Sequence, residues 1–331
     1  MVNILPSPIH PNSMKKIFLL IPIWITSLYA FPQTSPTAPT DWCQHPPRPA
    51  LQKLTEIKTS HNWFKVYQAG KDVFAIIEPY NFEEVISYLI LGKSGALLFD
   101  TGMGMDSISP VISQLTSLPV TVINSHTHYD HIGGNYEFSN ILAMPTDFTM
   151  KHAKEGWSHA DVQHEVTEDA FCRQYLPGLD TARYHIRPFR ITKFVKDGDQ
   201  IDLGGRTIQI IAVPGHTPDA IALLDTDNGY LWSGDTFYEG AIYLFREETD
   251  IKAYEKSVSR LAALAPKLKA VFPAHNNPIT SPKRLTELKD KLAQLKKGEV
   301  KGKDDSDTTL LFQFEGFGFL IGKQQLAQLQ R

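Results

Sequence analysis

The sequence lacks the features by which several large classes of protein are recognised. Its 331 residues carry a formal net charge of only −3 and no basic run of consequence, so nothing in the charge indicates nucleic-acid binding. No internal repeat is visible at the periods of solenoids or propellers. No apolar run reaches the roughly 20 residues that a helix needs to cross a bilayer. The 42% of apolar residues suffice for one large core, or for a core with appendages.

The N-terminus carries the pattern of a secretory signal peptide over residues 1–30. Met14 is followed by two lysines, by an apolar stretch over residues 17–25 that includes Pro22, and later by the small residue Ala30. Met14 is a candidate for the true start, because the residues before it would form an odd, uncharged extension. Cleavage near Ala30 would give a periplasmic or secreted protein with no stable membrane anchor, and an uncleaved signal anchor is the alternative.

Cysteine is scarce, with only Cys43 and Cys172 in the whole chain. Residues 31–60 are predicted to form a Pro-rich tether, since six prolines lie between positions 31 and 50 and favour an extended chain. Cys43 lies in this tether. An exported compartment permits a disulfide between the two cysteines, but two unpaired thiols agree equally well with the sequence, which does not give their separation.

The most informative stretch is residues 125–131, which follows the apolar run of residues 120–123. It contains three imidazoles and a carboxylate in six consecutive positions: His126, His128, Asp130 and His131. These are the ligand types that borderline divalent metals take. The loop therefore predicts a metal site at the end of a strand.

Three later residues recur in the same context of an apolar, β-branched run followed by a turn. They are His216, Asp235 and His275. Strands that end in ligand-bearing loops place those ligands along one edge of a sheet, where a rigid scaffold holds them in register. Five histidines and two aspartates are enough for two metal ions that share one carboxylate. Neither cysteine stands at a ligand position.

The chain resembles the metallo-β-lactamase superfamily in its H-x-H-x-D-H signature at His126–His131 and in the order of the later ligands, over roughly residues 64–280. The resemblance implies an α+β fold, the αββα two-sheet sandwich. It also implies that His126, His128 and His216 bind the first metal and that Asp130, His131 and His275 bind the second, with Asp235 bridging. Zinc is favoured for a histidine-rich site, with iron and manganese as alternatives.

The rest of the chain is consistent with this domain, predicted over residues 61–331. One set of strands is expected between residues 64 and 100, with a hairpin turn at 92–95, and a second set between 191 and 224. Helical spacing covers residues 107–118, 250–264 and 282–295. The C-terminal extension, about 281–331, carries one or two strands over residues 310–321, packed in the core or at a sheet edge.

A long insert, about residues 146–190, separates the ligand cluster at residues 126–131 from His216. Its histidines could be read as further metal ligands, but their spacing favours scattered surface positions: His152, His159, His164 and His185. An insert at this point would hang over the metal edge, and its aromatic residues could wall a pocket for an apolar substrate or serve as a lid.

The expected activity is hydrolysis of a small-molecule ester, lactone or thioester. Two metal ions roughly 3.5–4 Å apart would activate a bridging water, oriented by Asp130 as the catalytic residue, while Asp100 is a candidate partner for a ligating imidazole. An aspartate at 235, where class B β-lactamases usually carry cysteine or serine, favours the glyoxalase II and lactonase branches. The alternatives are a β-lactamase, a mononuclear iron enzyme similar to persulfide dioxygenases, and a non-catalytic metal-binding protein. The oligomeric state stays open.

Overall fold

The computed structural model describes residues 48–172 and 178–331, which all belong to one compact unit. The predicted signal peptide over residues 1–30 lies outside these described residues, as do Cys43 and the tether up to residue 47. Cys172 takes part in a disulfide bond. Within the described ranges, no helix combines the length and the apolar character needed to span a membrane.

The strands fall into three sheets. The first sheet contains eight strands that are neighbours in chain order: β1 (Thr55–Ile57), β2 (Lys65–Gly70), β3 (Val73–Ile77), β4 (Ile86–Leu91), β5 (Ala96–Phe99), β6 (Val120–Ile123), β7 (Ile141–Ala143) and β8 (Lys193–Phe194). The first five strands pair antiparallel, and β5 through β8 pair parallel. The predicted turn between β4 and β5 closes with a hydrogen bond from the Gly92 amide to the Gly95 carbonyl.

The second and third sheets follow the insert. Their strands are β9 (Gln200–Asp202), β10 (Thr207–Ala212), β11 (Ile221–Asp225), β12 (Tyr230–Gly234), β13 (Ala241–Leu244), β14 (Ala270–Pro273), β15 (Lys303–Asp304), β16 (Thr309–Gln313) and β17 (Gly318–Gly322). The second sheet runs in the order β14–β12–β11–β10–β9, and the third in the order β13–β17–β16–β15. The stretch over residues 310–321, where the sequence predicts one or two strands, thus contains two, β16 and β17. The strand β17 is buried throughout and lies between two neighbours, so it packs in the core rather than at a sheet edge.

Seven α-helices are seen in the described part of the chain: α1 (Ser109–Leu115), α2 (Tyr129–Ile132), α3 (Asp147–Glu155), α4 (His159–Val162), α5 (Ile251–Leu264), α6 (Lys283–Lys296) and α7 (Lys323–Leu329). The side chain of Asp250 caps α5 by accepting hydrogen bonds from the amides of Lys252 and Ala253. Helix α6 buries leucines spaced three and four residues apart, which form one apolar stripe.

The central core lies between the first two sheets. Strand β3 contributes Val73, Ala75 and Ile77 from alternate positions, and the second sheet contributes the stacked rings of Trp232 and Phe272, 5.1 Å apart. Two further apolar clusters lie on the outer faces. One packs α1 and the insert on the first sheet, and the other packs α5 and α6 on the second. This layering confirms the predicted αββα sandwich.

The expected tether over residues 31–60 is wrong in its last part. Residues Pro49–Lys53 form a 3₁₀ turn, and β1 adds an antiparallel edge strand to the first sheet. Leu51 is buried in the central core. Proline composition indicated an extended chain here, but Pro49 stands at the start of the turn, where its fixed φ is favourable and no amide donor is needed. The folded domain thus begins before residue 61.

Candidate metal centre

The ligand loop connects β6 to the short helix α2. His126 and His128 lie in the loop, whereas Asp130 and His131 lie in the first turn of the helix, and all four are at least 95% buried. The side-chain amide of Asn124 donates to the His131 carbonyl, 2.7 Å away, and so ties the start of the loop to the helix. The position at the end of a parallel strand explains why these four polar side chains converge at one sheet edge.

The first donor group consists of His126, His128 and His216. Nδ1 of His128 lies 2.9 Å from Nε2 of His126 and 3.0 Å from Nε2 of His216. Ligands that are each 2.0–2.1 Å from one ion lie no more than about 4.2 Å apart, so this spacing suits three imidazoles around a single metal ion.

The second donor group consists of Asp130, His131 and His275. Oδ2 of Asp130 lies 3.1 Å from Nε2 of His131 and 3.5 Å from Nε2 of His275. Asp235 lies between the two groups. Its Oδ1 is 3.4 Å from Nε2 of His131 and 3.2 Å from Nε2 of His275, while its Oδ2 faces Nε2 of His216 at 3.7 Å. The structure therefore brings all seven sequence-predicted ligands together, with Asp235 oriented toward both groups.

Two buried atoms at the centre show that this arrangement fits a metal ion. Among the described residues, Nε2 of His131 and Oδ1 of Asp235 find no partner with hydrogen-bond geometry, although both side chains are buried. Buried polar atoms are nearly always satisfied, so such an atom calls for an explanation such as a bound ion. The donor set of imidazole and carboxylate is the one that borderline divalent cations prefer.

The opposite nitrogen of each imidazole is held by a hydrogen bond. Nδ1 of His131 lies 3.0 Å from Oδ2 of Asp100, the partner proposed from the sequence. Nδ1 of His216 contacts the Tyr243 carbonyl at 2.9 Å, and Nδ1 of His275 contacts the Glu83 carbonyl at 2.7 Å. A carbonyl oxygen can only accept, so these two rings carry the proton on Nδ1 and leave the Nε2 lone pair free to bind a metal.

The sequence reasoning missed Glu248, whose Oε1 lies 2.7 Å from Nε2 of His128. It also missed Ser125, whose hydroxyl lies 3.0 Å from Nδ1 of His126. Glu248 belongs to a polar run directly after β13, so it follows a strand just as the predicted ligands do. That signal could have marked it as a site residue.

The local electrostatics favour neutral imidazoles at His126 and His216 and an ionised carboxylate at Asp130. Burial, reinforced by neighbouring imidazoles, lowers the pKa of His126 well below its usual range and lowers that of His216 to about 4. Burial alone would raise the pKa of Asp130, but His131 and His275 hold it at about 2. Neutral imidazole and ionised carboxylate are the protonation states that coordinate metals.

The insert covers one side of the first donor group, as expected from its place in the sequence. Nε1 of Trp157 donates to the Thr127 carbonyl at 3.1 Å, and its ring centroid lies 6.1 Å from that of His128. Phe148 approaches the same imidazole at 5.8 Å, and His152 stacks on Trp157. No histidine of the insert joins a donor group within residues 48–172 and 178–331.

A cavity of about 670 Å³ opens beside His275. Its wall combines the aromatic rings of Tyr238 and Tyr243 with apolar side chains of the C-terminal extension, namely Leu311, Phe314 and Phe317. Ligand sites commonly have this size and character. The extension therefore contributes directly to the space in which a substrate would meet the metal edge.

Comparison with known proteins agrees with this geometry. The sequence profile of the metallo-beta-lactamase superfamily matches residues 81–275, which is more than half of the chain. The chain belongs to the metallo-β-lactamase superfamily. Acyl-coenzyme A thioesterase MBLAC2 of Homo sapiens is similar to this superfamily member, with 26% identity over 235 residues, covering 65% of this chain and 82% of the relative.

Two further relatives support the assignment. Hydroxyacylglutathione hydrolase of Methylococcus capsulatus is 32% identical over 155 residues, which cover 46% of this chain and 47% of that protein. The solved structure of the stereoselective inverting sec-alkylsulfatase Pisa1 from Pseudomonas sp. has a TM-score of 0.52 and 14% identity, covering 70% of this chain and 42% of that chain. At such an identity, the structural likeness shows the shared fold alone.

Proposed function

We propose that this metallo-β-lactamase superfamily hydrolase cleaves thioesters of small molecules, using two divalent metal ions held by the seven clustered side chains. The observation that carries the proposal is the pair of donor groups with Asp235 between them, beside a cavity whose wall is partly apolar. Both curated relatives described above are hydrolases of acyl compounds by name, and one is called a thioesterase.

In this proposal, His126, His128 and His216 would hold the first ion, and Asp130, His131 and His275 would hold the second. Asp235, which lies between the two groups, would serve both ions. When bound, two such ions supply Lewis acidity and lower the pKa of coordinated water toward neutrality. The predominance of imidazole favours zinc.

Residues of this chain hold the proposed metal ligands and the substrate in position. Asp100 holds His131 from behind, and its Oδ1 accepts a hydrogen bond of 2.6 Å from the Ser125 amide, so the ring is fixed against β5 and β6. The cavity beside His275 would receive the acyl part of the substrate, because Leu311, Phe314 and Phe317 offer apolar surface there. Burial raises the pKa of the Tyr243 hydroxyl well above its usual value, so this group at the cavity wall remains a neutral hydrogen-bond donor.

A thioester is favoured over a β-lactam because of the leaving group. A thiol has a pKa of about 8.5, so its thiolate is a good leaving group that departs without being protonated first. The amide nitrogen of a β-lactam must be protonated or captured as it leaves. The expected export over residues 1–30 also belongs to this proposal, and it would place the hydrolase in the periplasm or outside the cell.

The test compares a thioester, an acylated lactone and a chromogenic cephalosporin on one zinc-loaded preparation. We expect kcat/KM for the thioester to exceed that for the cephalosporin by at least tenfold, about 1.4 kcal/mol in transition-state stabilisation. If the cephalosporin is the better substrate, the proposal gives way to a β-lactamase.

A variant pair tests the role of the cavity. The F314A substitution should lower kcat/KM selectively for a long-chain thioester relative to an acetyl thioester, because it removes apolar contact area. Phe194 is 48% exposed and lies in β8, outside the cavity lining, so the F194A variant is the matched control and should not change the ratio. If F314A lowered kcat/KM equally for both thioesters, the acyl chain would not bind in this cavity.

A further inference from the structure

Arg246 places a positive charge near the ligand loop, and within residues 48–172 and 178–331 no carboxylate forms a salt bridge with it. It follows β13, on the side of the ligand loop that carries Tyr129. Its Nη2 donates to the Tyr129 hydroxyl at 3.2 Å, and this is the one hydrogen bond that its guanidinium makes within the described residues. An arginine side chain has five N–H donors, so most of its capacity remains open to another group.

The position of this guanidinium is fixed by its surroundings. It lies 5.6 Å from the ring centre of Tyr129 and 5.9 Å from that of Phe245. The side-chain amide of Gln325 donates to the Arg246 carbonyl at 3.1 Å and holds the backbone against α7. The Tyr129 hydroxyl in turn donates to Oε1 of the fully buried Glu165. Arg246 is therefore held in place by aromatic rings and a hydroxyl, rather than by an ion pair.

Arg246 lies near the ligand loop, because Tyr129 connects it to that loop. Tyr129 stands between two proposed ligands in the sequence, and its ring lies 6.5 Å from that of His128. Together with the distance from Tyr129 to Arg246, this limits the separation of the guanidinium from the His128 ring to about 12 Å. Burial alone would lower the pKa of Arg246, but the neighbouring Tyr129, Glu248, Asp130 and Glu83 raise it, so these groups favour the charged guanidinium.

If a bound metal ion offset the charge of Asp130, the partly desolvated Arg246 would lose part of the negative charge that stabilises it, and an anionic group bound there would replace it. Arginine binds carboxylates and phosphates through two parallel hydrogen bonds, a geometry that its unused donors allow here. We propose that Arg246 forms an anion-binding subsite, which takes a carboxylate or phosphate group of the substrate and makes this enzyme selective for anionic thioesters. This inference rests on the proposed thioesterase function.

The first experiment measures kcat/KM on matched thioesters that differ only in one anionic group. One pair carries a carboxylate or its methyl ester on the acyl side, a second pair carries them on the thiol side, and a third compares a thiol with and without a phosphate monoester. The wild-type enzyme should prefer the charged member at least tenfold in one pair, about 1.4 kcal/mol. The pair in which this happens identifies the anion and its side of the substrate.

Variants of Arg246 separate binding from a structural role. The R246A variant should lose the preference for the charged member while hydrolysing the neutral member within about twofold of the wild type, and R246K should keep part of the preference. Arg260 pairs with Asp197 at the surface, so R260A is the matched control and should retain the full preference. An equal loss on both members in R246A would mean that Arg246 only supports Tyr129 and Glu165, and would overturn the subsite.

A binding measurement keeps this test independent of catalysis. Non-hydrolysable thioether analogues of the charged and neutral compounds are titrated calorimetrically into the zinc-loaded wild-type and R246A proteins. Tighter binding of the charged analogue to the wild type alone supports the subsite, even if no thioester is hydrolysed and the proposed function fails. Equal binding of the two analogues to the wild type would overturn the subsite, even if thioesters are hydrolysed.

Discussion

Removing the carboxylate of Glu248 should weaken metal binding at the first donor group. This carboxylate lies 2.7 Å from Nε2 of His128, while Nδ1 of the same ring faces His126 and His216. When Nε2 donates its proton to Glu248, the lone pair remains on Nδ1, where the metal ion would bind. Replacement by alanine removes the acceptor, so the ring can rotate or adopt the other tautomer.

The size of the effect follows from the environment of the carboxylate. The Glu248 side chain is only 16% exposed. Burial alone would raise its pKa, but the hydrogen bond from His128 is the largest of the effects that lower it from 4.5 to about 2. This depression corresponds to about 3 kcal/mol at most. A charge-assisted hydrogen bond contributes roughly 1.5–3 kcal/mol, so E248A should lower the affinity for one metal ion by about 10- to 100-fold.

The assay is a competition titration of zinc between the protein and a chromophoric chelator, for the wild type and three variants. E248Q keeps an acceptor oxygen but loses the charge, so its loss should be smaller than that of E248A. The preceding residue, Glu247, is exposed, so E247A removes the same charge and serves as the matched control. Unchanged zinc affinity in E248A would refute the role of this hydrogen bond, and an equal loss in E247A would show that general charge, not the contact, matters.

Two further predictions concern stability. Burial raises the pKa of Glu78 from 4.5 to about 7, so the folded state binds this proton more tightly and the free energy of unfolding falls by about 3 kcal/mol as the pH rises from about 4.5 through 7. Urea unfolding at pH 5 and pH 8 should show this loss of stability in the wild type but not in E78Q. An equal pH dependence of stability in both proteins would contradict the prediction. Gly215 precedes His216 at φ 143°, and an added Cβ would lie 2.3 Å from the Tyr254 amide nitrogen. G215A should therefore destabilise the fold by at least about 2 kcal/mol and weaken zinc binding, whereas G198A, at φ 84° with open space around it, should cost only about 1 kcal/mol.

The seven clustered side chains could be predicted from the sequence because each lies shortly after the end of a strand. Their convergence then needs only the general rule that strand ends meet along a sheet edge. Glu248 and Arg246 were harder to find, since they reach the cleft through the parallel pairing of β13 with β17, whose residues are far apart in the chain. No local pattern reveals such a pairing, because its stability comes from burial of the third sheet rather than from either strand alone.

At the N-terminal boundary, the sequence predicts a tether for residues that are in fact folded. Proline content dominated the interpretation of residues 31–60, although Leu51 supplies core contact and β1 completes the edge of the first sheet. Composition describes an average over a segment, whereas folding of its last residues depends on a few specific contacts with a sheet that lies elsewhere in the sequence.

The proposed dependence of thioester hydrolysis on two metal ions bridged by Asp235 is open to a direct experiment. It is tested most directly by adding zinc stepwise to metal-free protein and measuring thioester hydrolysis at each addition, for the wild type and for D235N. Wild-type activity should rise until about two equivalents are bound, and D235N should remain nearly inactive because it no longer joins the two donor groups. Full activity at one equivalent, or unimpaired hydrolysis by D235N, would contradict the binuclear account.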